Sequence, residues 1–216
     1  MSEYLSEEEQ VEALKKWWSE NGRSVIAGIV IGLAVVFGWQ SWVQHRHDRM
    51  EAAAARFDQL HQAVQGGERE AAEKQAELLR EEHGKTIYSA FAALDLAKIK
   101  LEQGDAAGAR EQLQWVMEQG REPGLQRLAR LRLARLQLGL GEIDAAEKSI
   151  AGLEGNAFAG DVAEIRGDIA RARNDLETAR QFYQEALAKE VGNSMLVRMK
   201  LQDIGGDPDQ TEAARS

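Results

Sequence analysis

One spacing recurs from residue 50 onward, and it constrains the fold more than any other feature of the chain. Gly67 is followed by Ala72, Ala76 and Leu79. Gly104 is followed by Ala109, Leu113 and Val116, and Gly141 by Ala146, Ile150 and Leu153, at the same offsets. Asn174 is followed in turn by Ala179, Tyr183 and Ala186. Successive turn residues lie 37, 37 and 33 positions apart. Glu68, Asp105, Glu142 and Asp175 come directly after them. Gly and Asn take the left-handed conformation that ends a helix, and an acidic residue suits the start of the next one. The Ala lets the second helix approach the first closely. The two later apolar positions share one helix face. No such helix pair can bury its apolar face alone, so the pairs must stack. Only two Pro interrupt the chain. The expected class is therefore all-α, with the last helix, from Asn193 to Ile204, acting as a cap. On that cap Val197, Leu201 and Ile204 face inward and Arg198, Lys200 and Asp203 face water, with Gly206 closing it.

This pattern resembles the tetratricopeptide repeat. Anchored on the turn, the small residue of the first helix falls at Ala97, Ala134 and Gly167. The usual inter-repeat Pro is replaced by Arg121, Phe158 and Val191, and most large aromatics of the first helix are missing. These are degenerate repeats, with the Gly67 unit the weakest match. The resemblance implies that first helices line a concave binding face. By position that face comprises Phe91, Leu94, Lys98, Leu101, Leu128, Leu131, Arg135, Glu164, Asp168 and Arg171, some of which could equally belong to the core.

Ahead of the repeats, Ser24–Val43 holds twenty residues without a charge. A helix of that length spans about 30 Å, the hydrocarbon thickness of a bilayer. Trp17 and Trp18 precede it, and Trp39 and Trp42 lie at its far end, where amphipathic rings settle at membrane interfaces. The stretch is longer than the ~7–15 apolar residues of a signal peptide, and no small-residue cleavage site follows, so an uncleaved anchor is expected. Gly28 and Gly32 form a GxxxG pair suited to helix packing in the membrane. Upstream, Ser6 and Glu9 have the spacing of a capping box. Val11, Leu14, Trp17 and Trp18 then form an apolar face that would lie at the interface before a turn at Asn21-Gly22. Lys15, Lys16 and Arg23 precede the anchor while Arg46, Arg49 and Arg56 follow it, so charge does not decide its orientation.

The expected organisation is an acidic amphipathic segment over 1–22, an anchor over 23–44, repeats over 45–204 and a disordered tail over 205–216. The net charge is −9, which makes a nucleic-acid partner unfavourable. The absence of Cys excludes disulfides and zinc–thiolate centres. His45 and His47 fall on different helix faces, and carboxylates alternate with Lys and Arg as on a solvated surface. No nucleophile motif or phosphate-cradling glycine loop occurs. No enzyme, cofactor or metal site is expected.

Taken over nearly its full length, the chain resembles the YfgM-type ancillary subunits of the bacterial Sec translocon. The stretch from Val11 through Trp17, Trp18, Asn21 and Gly22 into the anchor carries the likeness, together with the repeats. The resemblance implies an inner-membrane protein, N-terminus cytoplasmic and repeat domain periplasmic. Its implied partners are the SecYEG channel, a PpiD-type periplasmic chaperone, and unfolded or newly translocated proteins. The residues alone leave open a membrane-anchored regulatory scaffold that holds a signalling protein on the cytosolic side.

Overall fold

A computed structural model describes residues 7–153, 157–189 and 191–205. Among them are nine α-helices and no strand. The chain forms two compact units, one ending at Ala52 and one beginning at Ala53.

The first unit consists of the greater part of α1 (Glu7–Gln65), whose apolar stretch is long and apolar enough to cross a membrane. Ile29, Val30, Ile31, Leu33, Val35, Val36 and Phe37 point outward all round it, unburied by protein. The expected turn at Asn21-Gly22 does not occur, and α1 runs straight through it. The Asn21 side-chain amide donates to the Trp17 carbonyl at 3.1 Å, and the Ser19 hydroxyl to that of Lys16 at 2.8 Å. Both side chains thus bond within the helix instead of ending it. One Gly costs a helix only about 1 kcal/mol, too little to interrupt one that propagates from both sides. Ser6, the proposed cap, lies outside the described residues.

The second unit is the repeat array. The last turns of α1 pair with α2 (Arg69–His83), followed by α3 (Ile87–Glu102) with α4 (Ala106–Gln119). Then come α5 (Pro123–Gly139) with α6 (Ile143–Ile150), α7 (Ala159–Ala172) with α8 (Leu176–Ala188), and α9 (Ser194–Asp203). The four turn residues sit in the left-handed region, with φ of 71°, 80°, 76° and 63° at Gly67, Gly104, Gly141 and Asn174. Each makes the same bond pattern: the next residue's N–H reaches back five positions, as from Asp105 to Lys100 at 2.8 Å and Asp175 to Ala170 at 2.9 Å. This Schellman closure satisfies helix-end carbonyls that would otherwise be orphaned. Asp105 and Asp175 then cap α4 and α8 by accepting from the Gly108 and Thr178 amides.

Ala72, Ala109, Ala146 and Ala179 are fully buried, and the two later positions of every unit are buried as well. The core comprises four apolar clusters in series, each drawn from three consecutive helices. α3 shows why: Ala92, Leu96 and Ile99 serve the cluster before it, and Ala90, Ala93, Leu94 and Ala97 the one after. The Gly67 unit, the weakest match in the sequence, is completed by Ala53, Leu60 and Ala63 at the end of α1. Among the described residues the last left-handed glycine is Gly205, at φ 73°, which ends α9 one residue earlier than expected. Gly206 and the rest of the expected tail lie outside the described residues.

Candidate protein-binding groove

Counting back from each turn puts the first helices in register. Leu94, Leu131 and Glu164 stand ten residues before their turns, and all three are buried, at 3 %, 1 % and 3 % exposure. Lys98, Arg135 and Asp168 stand six before, one helical turn further on. The α7–α8 unit therefore carries a carboxylate where the α3–α4 and α5–α6 units carry a leucine, and this splits the face into two unlike halves.

In the C-terminal half the polar groups pair with one another. Arg135 on α5 bonds Asp161 and Glu164 on α7, both at 2.8 Å. Lys200 on α9 bonds Glu164 at 2.8 Å and Asp168 at 2.7 Å. The Tyr183 hydroxyl donates to Asp168 at 2.8 Å. Burial alone would raise the Glu164 carboxyl, but the hydrogen bonds and charges of Lys200 and Arg135 outweigh it and hold the group below the ordinary carboxylate range. Burial, reinforced by the Asp168 carboxylate, pushes the Tyr183 phenol up. The expectation that Lys200 faces water is overturned: its side chain is only 16 % exposed because two acidic side chains of α7 draw it inward. Arg171 stays exposed at the rim.

In the N-terminal half a cavity of about 760 Å³ lies open between α3 and α5, floored by α4. Leu94, Ala97, Leu113 and Leu136 form its apolar base, and Leu101 and Leu140 stand exposed on its walls. Lys98 is largely exposed, its ammonium 3.9 Å from Glu102. Phe91 lies outside the cavity lining, against Phe57 near the end of α1 at 5.9 Å between ring centres. Asp95 and Arg132, each nine residues before a turn, also line the cavity. Burial raises the Asp95 carboxyl, although His61, Arg132 and Lys98 pull it the other way. Asp95 makes no hydrogen bond or ion pair among the described residues. Burial likewise lowers the Arg132 guanidinium, whose bond is to the Leu94 carbonyl at 3.2 Å.

The sequence reading missed Asp95, Arg132, Asp161 and Lys200 as groove residues. The first three were within reach of the register: their offsets from the turn fall on the same face as Lys98 and Arg135. Among the described residues no cluster of His, Asp and Glu is arranged to hold a metal. Gly28 and Gly32 lie on α1 with no atom near the place a side chain would occupy.

An apolar N-terminal helix followed by a stacked helical-repeat array with an open groove defines a membrane-anchored helical-repeat protein. The family profile of the tetratricopeptide repeat-like domain matches residues 15–206. The chain is 30 % identical over 209 residues to the ancillary SecYEG translocon subunit of Escherichia coli, covering 94 % of this chain and 99 % of that one. The proteins of the same name from Haemophilus influenzae and Aggregatibacter actinomycetemcomitans are 32 % and 34 % identical over 158 residues, 73 % of this chain and 77 % of theirs. The chain belongs to the family of ancillary SecYEG translocon subunits.

Proposed function

We propose that this protein is an ancillary subunit of the Sec translocon, a non-catalytic protein-binding module held in the inner membrane by residues 23–44. Its N-terminus is cytoplasmic and its repeat domain, over 45–204, is periplasmic. There it links newly translocated, unfolded proteins to a membrane-anchored chaperone of the PpiD type. The observation that carries this reading is the relationship to the Escherichia coli subunit over nearly the whole of both chains. The open groove supports it, since an extended concave surface suits a polypeptide segment better than a small substrate. An anchor in the partners' own membrane raises the effective concentration, so weak contacts suffice. Gly28 and Gly32 add a helix-packing contact within the membrane.

The test is photocrosslinking in living cells from Lys98, Arg135 and Asp168, with the exposed Lys148 on α6 as control. SecYEG or PpiD-type adducts from the groove positions, absent at Lys148, are expected. Identical adduct patterns at both would move the binding face elsewhere. Protease added outside the inner membrane should remove the repeat domain. Protection until lysis would place it in the cytosol and favour the regulatory scaffold.

A further inference from the structure

We infer that the face of α1 just beyond the charge-free run binds the phosphate of an anionic phospholipid headgroup, through Arg46, Arg49 and His45 beside Trp42. This rests on the reading of residues 23–44 as the membrane anchor and names the lipid that the far end of that anchor selects. Trp42, His45, Arg46 and Arg49 stand at i, i+3, i+4 and i+7 on α1, so they share one side of the helix. All four are exposed. The Arg46 guanidinium lies 4.9 Å from the centre of the Trp42 ring, which holds it at the end of the apolar run. Trp39 packs on Trp42 at 5.3 Å between ring centres. At about 1.5 Å per residue, His45 and Arg46 lie about 3 and 4.5 Å beyond Val43, and Arg49 about 9 Å. The headgroup layer of a leaflet is about 5–8 Å deep, so the first two stand within it and Arg49 at its outer edge. Further along α1, Arg56 is taken by Glu82 at 2.8 Å, whereas neither Arg46 nor Arg49 has an acidic partner among the described residues. Asp48, the acid between them in sequence, falls outside that spacing and accepts from the Gln44 amide at 2.8 Å. A guanidinium pairs with a phosphate through parallel N–H bonds, and the imidazole adds a further donor. A zwitterionic headgroup also presents a phosphate, but it brings an ammonium that the second arginine would repel. A headgroup without an ammonium suits both arginines, which makes the ligand an anionic lipid such as phosphatidylglycerol.

The test places the purified full-length protein in vesicles of equal phosphatidylglycerol and phosphatidylcholine. It is then extracted in mild detergent, and the lipids that co-purify are measured by mass spectrometry. Phosphatidylglycerol should exceed phosphatidylcholine about fivefold to twentyfold, since each arginine near the surface is worth about a factor of five. Arg46→Gln with Arg49→Gln should lower that ratio about fivefold or more. Arg46→Lys with Arg49→Lys keeps the charge but not the paired N–H bonds, and should lower it about twofold or more. Trp42→Leu, which frees Arg46 from the ring, should lower it about twofold. His47→Gln, on another side of the helix, should leave it unchanged. Flotation should carry every variant with the vesicles, and circular dichroism should show all of them equally helical. A ratio near one for the unmodified protein overturns the inference, as does an undiminished ratio in the glutamine variant. An undiminished ratio in the lysine variant would make the effect diffuse surface charge, with no headgroup site, and overturns it too. Flotation scores the anchor separately. Floating without enrichment ends this inference alone, whereas failure of the unmodified protein to float ends the anchor reading and this inference with it.

Discussion

Asp95 on α3 and Glu164 on α7 are both withdrawn from water on the first helices of their units, and their protonation is pushed in opposite directions. Glu164 sits between two cations, one from the helix pair before it and one from the cap after it. Asp95 faces cations that attract it from a distance without bonding it. The difference shows how one repeat scaffold makes a closed joint and an open groove from similar residues. Where α9 reaches back across the face, the charges close on each other and the surface becomes structure. Where no described helix of the repeat array covers α3 and α5, the charges and leucines stay open.

The sharpest way to break this contrast is Lys200→Met, which leaves Glu164 and Asp168 short of a cation. Stranding charge in a buried pair costs about 3–5 kcal/mol, and the residual exposure here favours the lower end, about 3. Hydrogen–deuterium exchange in α9 of the full-length protein should accelerate about 100-fold, since each ~1.4 kcal/mol is a factor of ten. Unchanged exchange would mean that apolar contacts alone hold the cap. Next is Gly167→Ala, whose new methyl would collide with the Tyr183 ring. Overpacking costs about 1–3 kcal/mol, against less than ~1 gained in helix propensity. The α7–α8 pair should loosen while exchange in α3–α5 stays unchanged.

A pH series separates the two carboxylates. The Glu164 pKa is depressed in the folded state, so its stabilisation is complete above the unfolded value of about 4.3 and is lost as pH falls through the folded one. Acid should therefore loosen α7–α9. Asp95 is raised, so its contribution runs the other way: it is best tolerated below about 3.9 and penalised as pH rises through its folded pKa. Exchange in α3 between these limits should not show the acid loosening seen in α7. The smallest effect expected is from Asp95→Asn, which removes an unbonded, part-buried charge. It should leave stability unchanged or raise it by up to about 1 kcal/mol, checked by urea unfolding. A clear loss would mean that the through-space attraction of Arg132 and His61 already stabilises the open half.

Much of this was legible in the chain because it is local. The residues that end a helix, and those a fixed distance beyond that face its partner, follow from helical geometry alone. So Gly67, Gly104, Gly141 and Asn174, and the buried Ala after each, could be placed without coordinates. The charge-free run from Ser24 to Val43 was legible for the same reason: its length and composition need no partner to be read. What the sequence could not supply was any contact across units. Asn21-Gly22 looked like a turn because its local propensity says so, yet a helix that propagates from both sides overrides one glycine. Lys200 looked exposed because it carries a charge, although three residues from Val197 it borders the apolar face of its own helix, and only packing against α7 gives it two carboxylates. Which of several similarly spaced charges are paired, and which lie open in a groove, depends on how far each helix reaches across its neighbours. That is decided by packing between residues some thirty positions apart, which no local period encodes.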